Sequence, residues 1–116
     1  MKLDIRCIHL TMDNIDLNHI REHFERSLDH FDRHILGGHI VLSDVNGPKG
    51  GIDKHCLVQL RLHGVPEIVV EEDGVDLASV TARAADRLAT AVDRAIGKEK
   101  RGRRQGQEAS PDGSKE

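Results

Sequence analysis

The chain of 116 residues contains no tryptophan and no tyrosine, and Phe24 and Phe31 are its only aromatic side chains. Single-stranded nucleic acid is commonly held by stacking bases on aromatic platforms, so the composition argues against that mode of binding. Cysteine is equally scarce. Cys7 and Cys56 each sit in an alternating apolar run, where a thiol behaves as a small buried hydrophobe, and the pair does not suggest a disulfide framework. No apolar run approaches the roughly 20 residues needed to cross a bilayer, and the charged N-terminal segment is unlike the apolar core of a signal peptide. The expectation is a cytoplasmic protein of one domain, with a small aliphatic core and no membrane contact.

Charge is present but segregated. The formal net charge is −3, yet residues 1–82 carry −6, residues 83–104 carry +5 and residues 105–116 carry −2. A local basic field attracts polyanions even on an acidic molecule, so the +5 segment directs attention to a nucleic acid partner.

The hydrophobic pattern changes period along the chain. Leu3, Ile5 and Cys7 alternate as in a half-buried strand, and the spacing of Leu17, Ile20, Phe24, Leu28 and Phe31 predicts a helix from 17 to about 33, capped by Asp16. Gly37 and Gly38 are expected to end that unit before a strand over 39–45. The Asn46–Gly51 loop follows, then a well-alternating strand over 54–63 with Cys56, Val58, Leu60 and Leu62 facing inward. Gly64-Val65-Pro66 turns the chain into a fourth strand over 67–72. Asp76 then caps a helix from 77 to about 100 whose apolar stripe is Leu77, Val80, Ala84, Leu88, Ala91, Val92 and Ala95. The fold class is therefore α+β, in the order β-α-β-β-β-α: a four-stranded, mostly antiparallel sheet with two helices on one face. The domain is expected over 1–101, followed by a flexible basic-to-acidic tail over 102–116 that has almost nothing apolar to offset its ordering entropy.

On a helical wheel of about 100° per residue, Arg83, Arg87, Arg94, Lys98 and Arg101 fall within an arc of roughly 60° beside the apolar stripe. Arg103 and Arg104 continue this ridge, while Asp86 and Asp93 lie on another side. Guanidinium groups fork onto phosphate oxygens and keep their charge, so the ridge suits a polyanion; a solvated face favoured by the helix dipole is the alternative. Lys49 in the glycine-rich loop, with Lys54 and Arg61 along the next strand, could extend the contact, although the loop lacks a GxxxxGK[ST] arrangement. His19, His23, His30 and His34 share an arc of about 60° on the first helix. They are weak candidates for a metal site, because no third ligand is set by spacing; the other readings are a strip that gains charge below neutral pH, or partly exposed residues without individual roles. Among Glu67, Glu71, Glu72, Asp73 and Asp76, alternation puts Glu67, Glu71 and Asp73 on the wet face. No nucleophile and base grouping emerges, so neither an enzyme nor a cofactor is indicated.

Lys2–Leu10, the Ile20–Phe31 helix, the run HIVLSDVNGPKGGIDKHCLVQLRL and the run DGVDLASVTARAADRLATAVDRAIGKEKRGRR together resemble the ribosome hibernation-promoting factor and ribosome-associated inhibitor family, over about residues 1–104. The resemblance implies the same element order and a non-enzymatic protein that binds the small ribosomal subunit and its RNA in the channel used by messenger and transfer RNA, blocking translation in stationary-phase or stressed cells. It places Arg87 and Arg94 at basic positions of the family's second helix, and Lys98, Lys100 and Arg101 in its basic extension. Ala78 departs from the tyrosine of many members, and Thr90 from a basic residue in some. The chain looks like a short form without the family's additional C-terminal domain, expected to act as a monomer and without a small-molecule substrate. An older family name, sigma-factor modulator, implies the alternative of a protein-interaction module acting on a transcription factor.

Overall fold

The computed structural model describes residues 2–44 and 54–108, with side chains through residue 97. Strand β1 (Leu3–Ile8) leads to helix α1 (Asn14–Leu28), a 3₁₀ segment (Asp29–His34), β2 (Ile35–Asp44), β3 (Lys54–Leu62), β4 (Val65–Gly74) and helix α2 (Leu77–Glu108). The strands form one sheet in the order β1-β2-β3-β4. β1 runs parallel to β2, with Leu3 opposite Gly38, and the other two ladders are antiparallel. The sheet is thus mixed. Parallel neighbours need a crossover, and α1 with the 3₁₀ segment supplies it.

Alternation decides which face is buried. Leu3, Ile40, Leu42, Cys56, Val58, Leu60 and Val70 meet Phe24 and Leu28 of α1 and Val80, Ala84, Leu88 and Val92 of α2 in a single cluster. Both helices therefore cover the same face, as the sequence predicts, and the opposite face is open. Ala85 and Ile96 join the core, whereas Ala91 and Ala95 of the expected stripe are only half-buried. Cys7 and Cys56 are free thiols. Burial, with the neighbouring Glu72 carboxylate adding to it, pushes the Cys56 thiol up to about 12, so it stays protonated and packs as a hydrophobe.

Several boundaries differ from the sequence reading. The first helix starts three residues earlier, because the Asp13 carboxylate, not that of Asp16, accepts the capping bond, here from the Asp16 amide at 2.9 Å. It also ends at Leu28, its last buried side chain, after which the chain tightens into the 3₁₀ segment instead of continuing as α-helix to 33. Strand β4 extends to Val65 and Gly74, beyond the expected 67–72. Asp76 caps α2 as expected, accepting from the Ser79 amide at 3.0 Å. That helix reaches Glu108, past the expected end near 100. Its Ala, Lys, Arg, Gln and Glu content outweighs the helix cost of Gly102 and Gly106. Of the tail expected over 102–116, residues 109–116 lie outside the described residues.

Gly37 and Gly38 lie inside β2 and not between elements, next to a register shift against β3. At Gly38 a Cβ would stand 2.7 Å from the Gln59 carbonyl oxygen and 2.9 Å from Leu60 Cδ1. The glycine lets the main chains and the core close up at this point. Gly38→Ala is therefore expected to lower the unfolding free energy by about 1–3 kcal/mol, the usual cost of overpacking, read from the urea midpoint at an unchanged slope.

Candidate nucleic-acid interface

The described part of the basic ridge lies where α2 passes along β4, the edge strand. Arg83 donates from Nε to Glu72 Oε1 at 3.2 Å and from Nη2 to the Asp73 carbonyl oxygen at 2.7 Å. Arg87, one turn on, donates from Nη1 to the Glu71 carbonyl oxygen at 2.9 Å and to Glu72 Oε2 at 2.6 Å. These arginines occupy main-chain acceptors of an edge strand that would otherwise be open to pairing with another chain. Their side chains remain 50% and 60% exposed, while Glu72 is only 15% exposed. Two guanidiniums share one carboxylate, so the trio keeps a charge of +1 at the surface.

Arg94 is exposed and forms no hydrogen bond or ion pair with another described residue. Between it and Arg87 an open groove of about 380 Å³ runs along the α2–β4 boundary, lined also by Val69, Val70, Asp86, Thr90 and Ala91. The Thr90 hydroxyl donates to the Asp86 carbonyl oxygen at 3.1 Å. The groove has cationic ends, a hydroxyl and an aliphatic floor, but no aromatic platform. Asp86 borders the same groove, closer to the ridge than the wheel suggests.

Glu72 is the partner that the sequence reading leaves out. The signal was available in the alternation: Glu72 has the parity of Ile68 and Val70, which face α2, and the opposite parity to the exposed Glu67, Glu71 and Asp73. The Arg87 hydrogen bond first, then that from Arg83 and the two positive charges, hold the Glu72 carboxyl below the usual glutamate range against the opposing effect of burial. A depressed carboxylate stabilises the fold above its unfolded value of about 4.3 and loses that contribution as pH falls through the folded value. The gap in unfolding free energy between wild type and Glu72→Gln should accordingly be constant near neutrality and narrow below about pH 4.3 in urea titrations. A gap that widens in acid would contradict the pairing.

The other sequence candidates do not join this surface. Lys54 shares the helix-covered face of β3 with Cys56, and its Nζ lies 3.4 Å from Asp44 Oδ2. Arg61, of opposite parity, is exposed on the open face. The two do not continue one line of positive charge, because an odd spacing on a strand reverses the face. Lys49 lies outside the described residues; Lys98, Lys100, Arg101, Arg103 and Arg104 lie on the α2 backbone, their side chains outside the described set.

The histidine stripe is broken. His19 and His23 belong to α1, but His30 and His34 follow in the 3₁₀ segment, whose three residues per turn rotate them out of phase. His30 instead packs edge-on against Phe31, with ring centroids 5.2 Å apart. Among the described residues no group of three or more His, Cys, Asp or Glu side chains could hold a metal ion. His19 and His23 border a cavity of about 200 Å³ against Ala78, Thr81 and Ala82. The enclosed His23 Nε2 has no partner among the described residues. Two cross-strand pairs on the open face, His39 with Asp4 at 3.3 Å and His55 with Asp73 at 2.5 Å, were not anticipated.

Comparison with known proteins agrees with this architecture. The model of the Sigma 54 modulation protein / S30EA ribosomal protein family matches residues 8–100. The chain belongs to that family. Among solved structures, the N-terminal domain of Thermus thermophilus Protein Y is 30% identical, with a TM-score of 0.57, over 80% of this chain and 93% of that one. A ribosomal subunit interface protein from Coxiella burnetii shares the fold at 16% identity and a TM-score of 0.62, over 81% of this chain and 96% of that one. No curated protein matches the chain. Within this S30EA family domain, Arg83, Arg87 and Arg94 are exposed in a line along α2. No described helix is long and apolar enough to cross a membrane.

Proposed function

We propose that this chain is a non-enzymatic, cytoplasmic ribosome-hibernation factor that binds the small ribosomal subunit through its RNA and blocks the channel used by messenger and transfer RNA in resting or stressed cells. The observation that carries the reading is the exposed line of Arg83, Arg87 and Arg94 along α2, with an open groove between the last two. Lys98, Lys100, Arg101, Arg103 and Arg104 follow along the backbone of the same helix. Membership of a family named for an S30EA ribosomal protein supports it. The surface centres on α2 and does not include Lys54 or Arg61. No cofactor or small-molecule substrate enters the reading.

Sedimentation through sucrose gradients tests it. The protein should travel with small subunits at low salt and move to the top of the gradient as salt rises, because each phosphate contact releases counterions on binding. Protein that stays at the top at low salt would contradict the proposal. The family's other name, sigma 54 modulation protein, supports a second reading, a protein partner in transcription. Binding of that kind should survive charge reversal at Arg87 and Arg94, which separates the two.

A further inference from the structure

A guanidinium has five N–H donors, and what its intramolecular partners consume determines what it can offer a ligand. Arg83 uses Nε and one Nη2 hydrogen on Glu72 and the Asp73 carbonyl, which closes its side-on fork. Arg87 uses Nη1 for both of its bonds, to Glu72 and the Glu71 carbonyl, leaving the Nε and Nη2 hydrogens together. That pair is the fork that fits two oxygens of one phosphate. Arg87 also lines the groove that it shares with Arg94, which has no partner among the described residues.

We propose that Glu72 is a positioning residue of the RNA-binding surface: it anchors Arg87 by Nη1 against the edge of β4 and so presents a fixed, open fork to a phosphate in the groove. The inference rests on the ribosome-binding reading above. Without the anchor, Arg87 is a long, mostly exposed side chain that must be ordered on every binding event, and preorganisation is lost. The competing idea is that Glu72 merely neutralises the ridge. The two differ in sign. A neutraliser, once removed, raises affinity for every polyanion; a positioning carboxylate, once removed, raises attraction to a shapeless polyanion but weakens binding to a structured target.

The experiment compares wild type, Glu72→Gln, Glu71→Gln and Arg87→Lys for retention on heparin and for affinity to purified small ribosomal subunits. Glu71 is the charge control, since its side chain lies on the open face. Both glutamine variants should elute later from heparin. Glu72→Gln should bind subunits about five- to tenfold more weakly while Glu71→Gln binds at least as tightly as wild type. Arg87→Lys, which keeps the charge but not the fork, should lose a similar factor, and combining it with Glu72→Gln should lose no more than either alone. Should Glu72→Gln not fold, Glu72→Asp, too short to reach both guanidiniums, takes its place with the same expected loss. Subunit affinity that is unchanged or raised in Glu72→Gln, or losses that add in the double variant, would overturn the positioning role and leave ribosome binding intact. A wild-type chain that does not bind subunits at low salt would instead bring down the reading on which the inference rests.

Discussion

Replacing Arg87 and Arg94 together by glutamate should reduce affinity for the small ribosomal subunit by at least about 100-fold, since each charge-assisted hydrogen bond contributes about 1.5–3 kcal/mol. The two positions contribute differently. Arg94 has no intramolecular partner among the described residues, so Arg94→Glu should remove the proposed phosphate contact without disturbing the fold. Arg87→Glu also places a carboxylate against Glu72, which Arg87 now contacts at 2.6 Å, and part of its effect comes from losing that anchor. The Arg94 variant alone is therefore the cleaner measure. It should reduce the slope of log affinity against log salt by about one, as expected when one phosphate contact is lost. Titration of subunit binding from low to moderate salt checks both numbers, and an unchanged slope would remove Arg94 from the interface.

Phe24→Ala should have the largest effect on stability. Phe24 is fully buried on α1, and with Leu28 it is the part of that helix most deeply set in the core between the sheet and α2. Aromatic truncation at such a site costs about 3–5 kcal/mol, because the aliphatic walls collapse only partly into the space. For a domain of this size, with an ordinary stability of about 5–15 kcal/mol, that loss is enough to populate unfolded chains under mild denaturant. A loss of less than about 1 kcal/mol in unfolding free energy, read from the urea midpoint at an unchanged slope, would mean that α1 packs elsewhere. Phe31 contrasts with it: half-buried in the 3₁₀ segment, with the His30 ring against its edge, it should cost less.

Burial on one face imposes a period on the sequence, and where it did, the fold was legible. The alternation from Cys56 to Leu62 and the Val80, Ala84, Leu88, Val92 stripe needed no further information, and their chain order implied two helices on one side of a four-stranded sheet. What was not legible depended on tertiary contact. Gly37 and Gly38 read as a terminator because glycine usually breaks elements, but Gly38 is in β2 so that Leu60 and the Gln59 carbonyl can approach. The change from α to 3₁₀ at Leu28 is a choice of packing that the continuing apolar spacing to Phe31 conceals. It also separated histidines that a regular wheel had aligned.

The site was legible to a similar degree. Placing Arg83, Arg87 and Arg94 on one side of α2 follows from helical geometry alone. Their engagement with Glu72 and with the main chain of β4 does not, since it depends on which strand lies beside the helix. Strand parity would have singled out Glu72, yet only the topology shows that the face it occupies is the one α2 covers. Lys54 and Arg61 show the reverse error, in which nearness in sequence suggested a common surface that the pleat divides.

On the function proposed above, α2, and not the open face of the sheet, meets ribosomal RNA. Site-specific photo-crosslinking tests this most directly, with the crosslinker placed at Thr90, between Arg87 and Arg94 in the groove, or at Gln59 on the opposite face. Irradiated complexes with small subunits should give RNA crosslinks from position 90 and few from position 59. Crosslinks from position 59 with none from position 90 would contradict it.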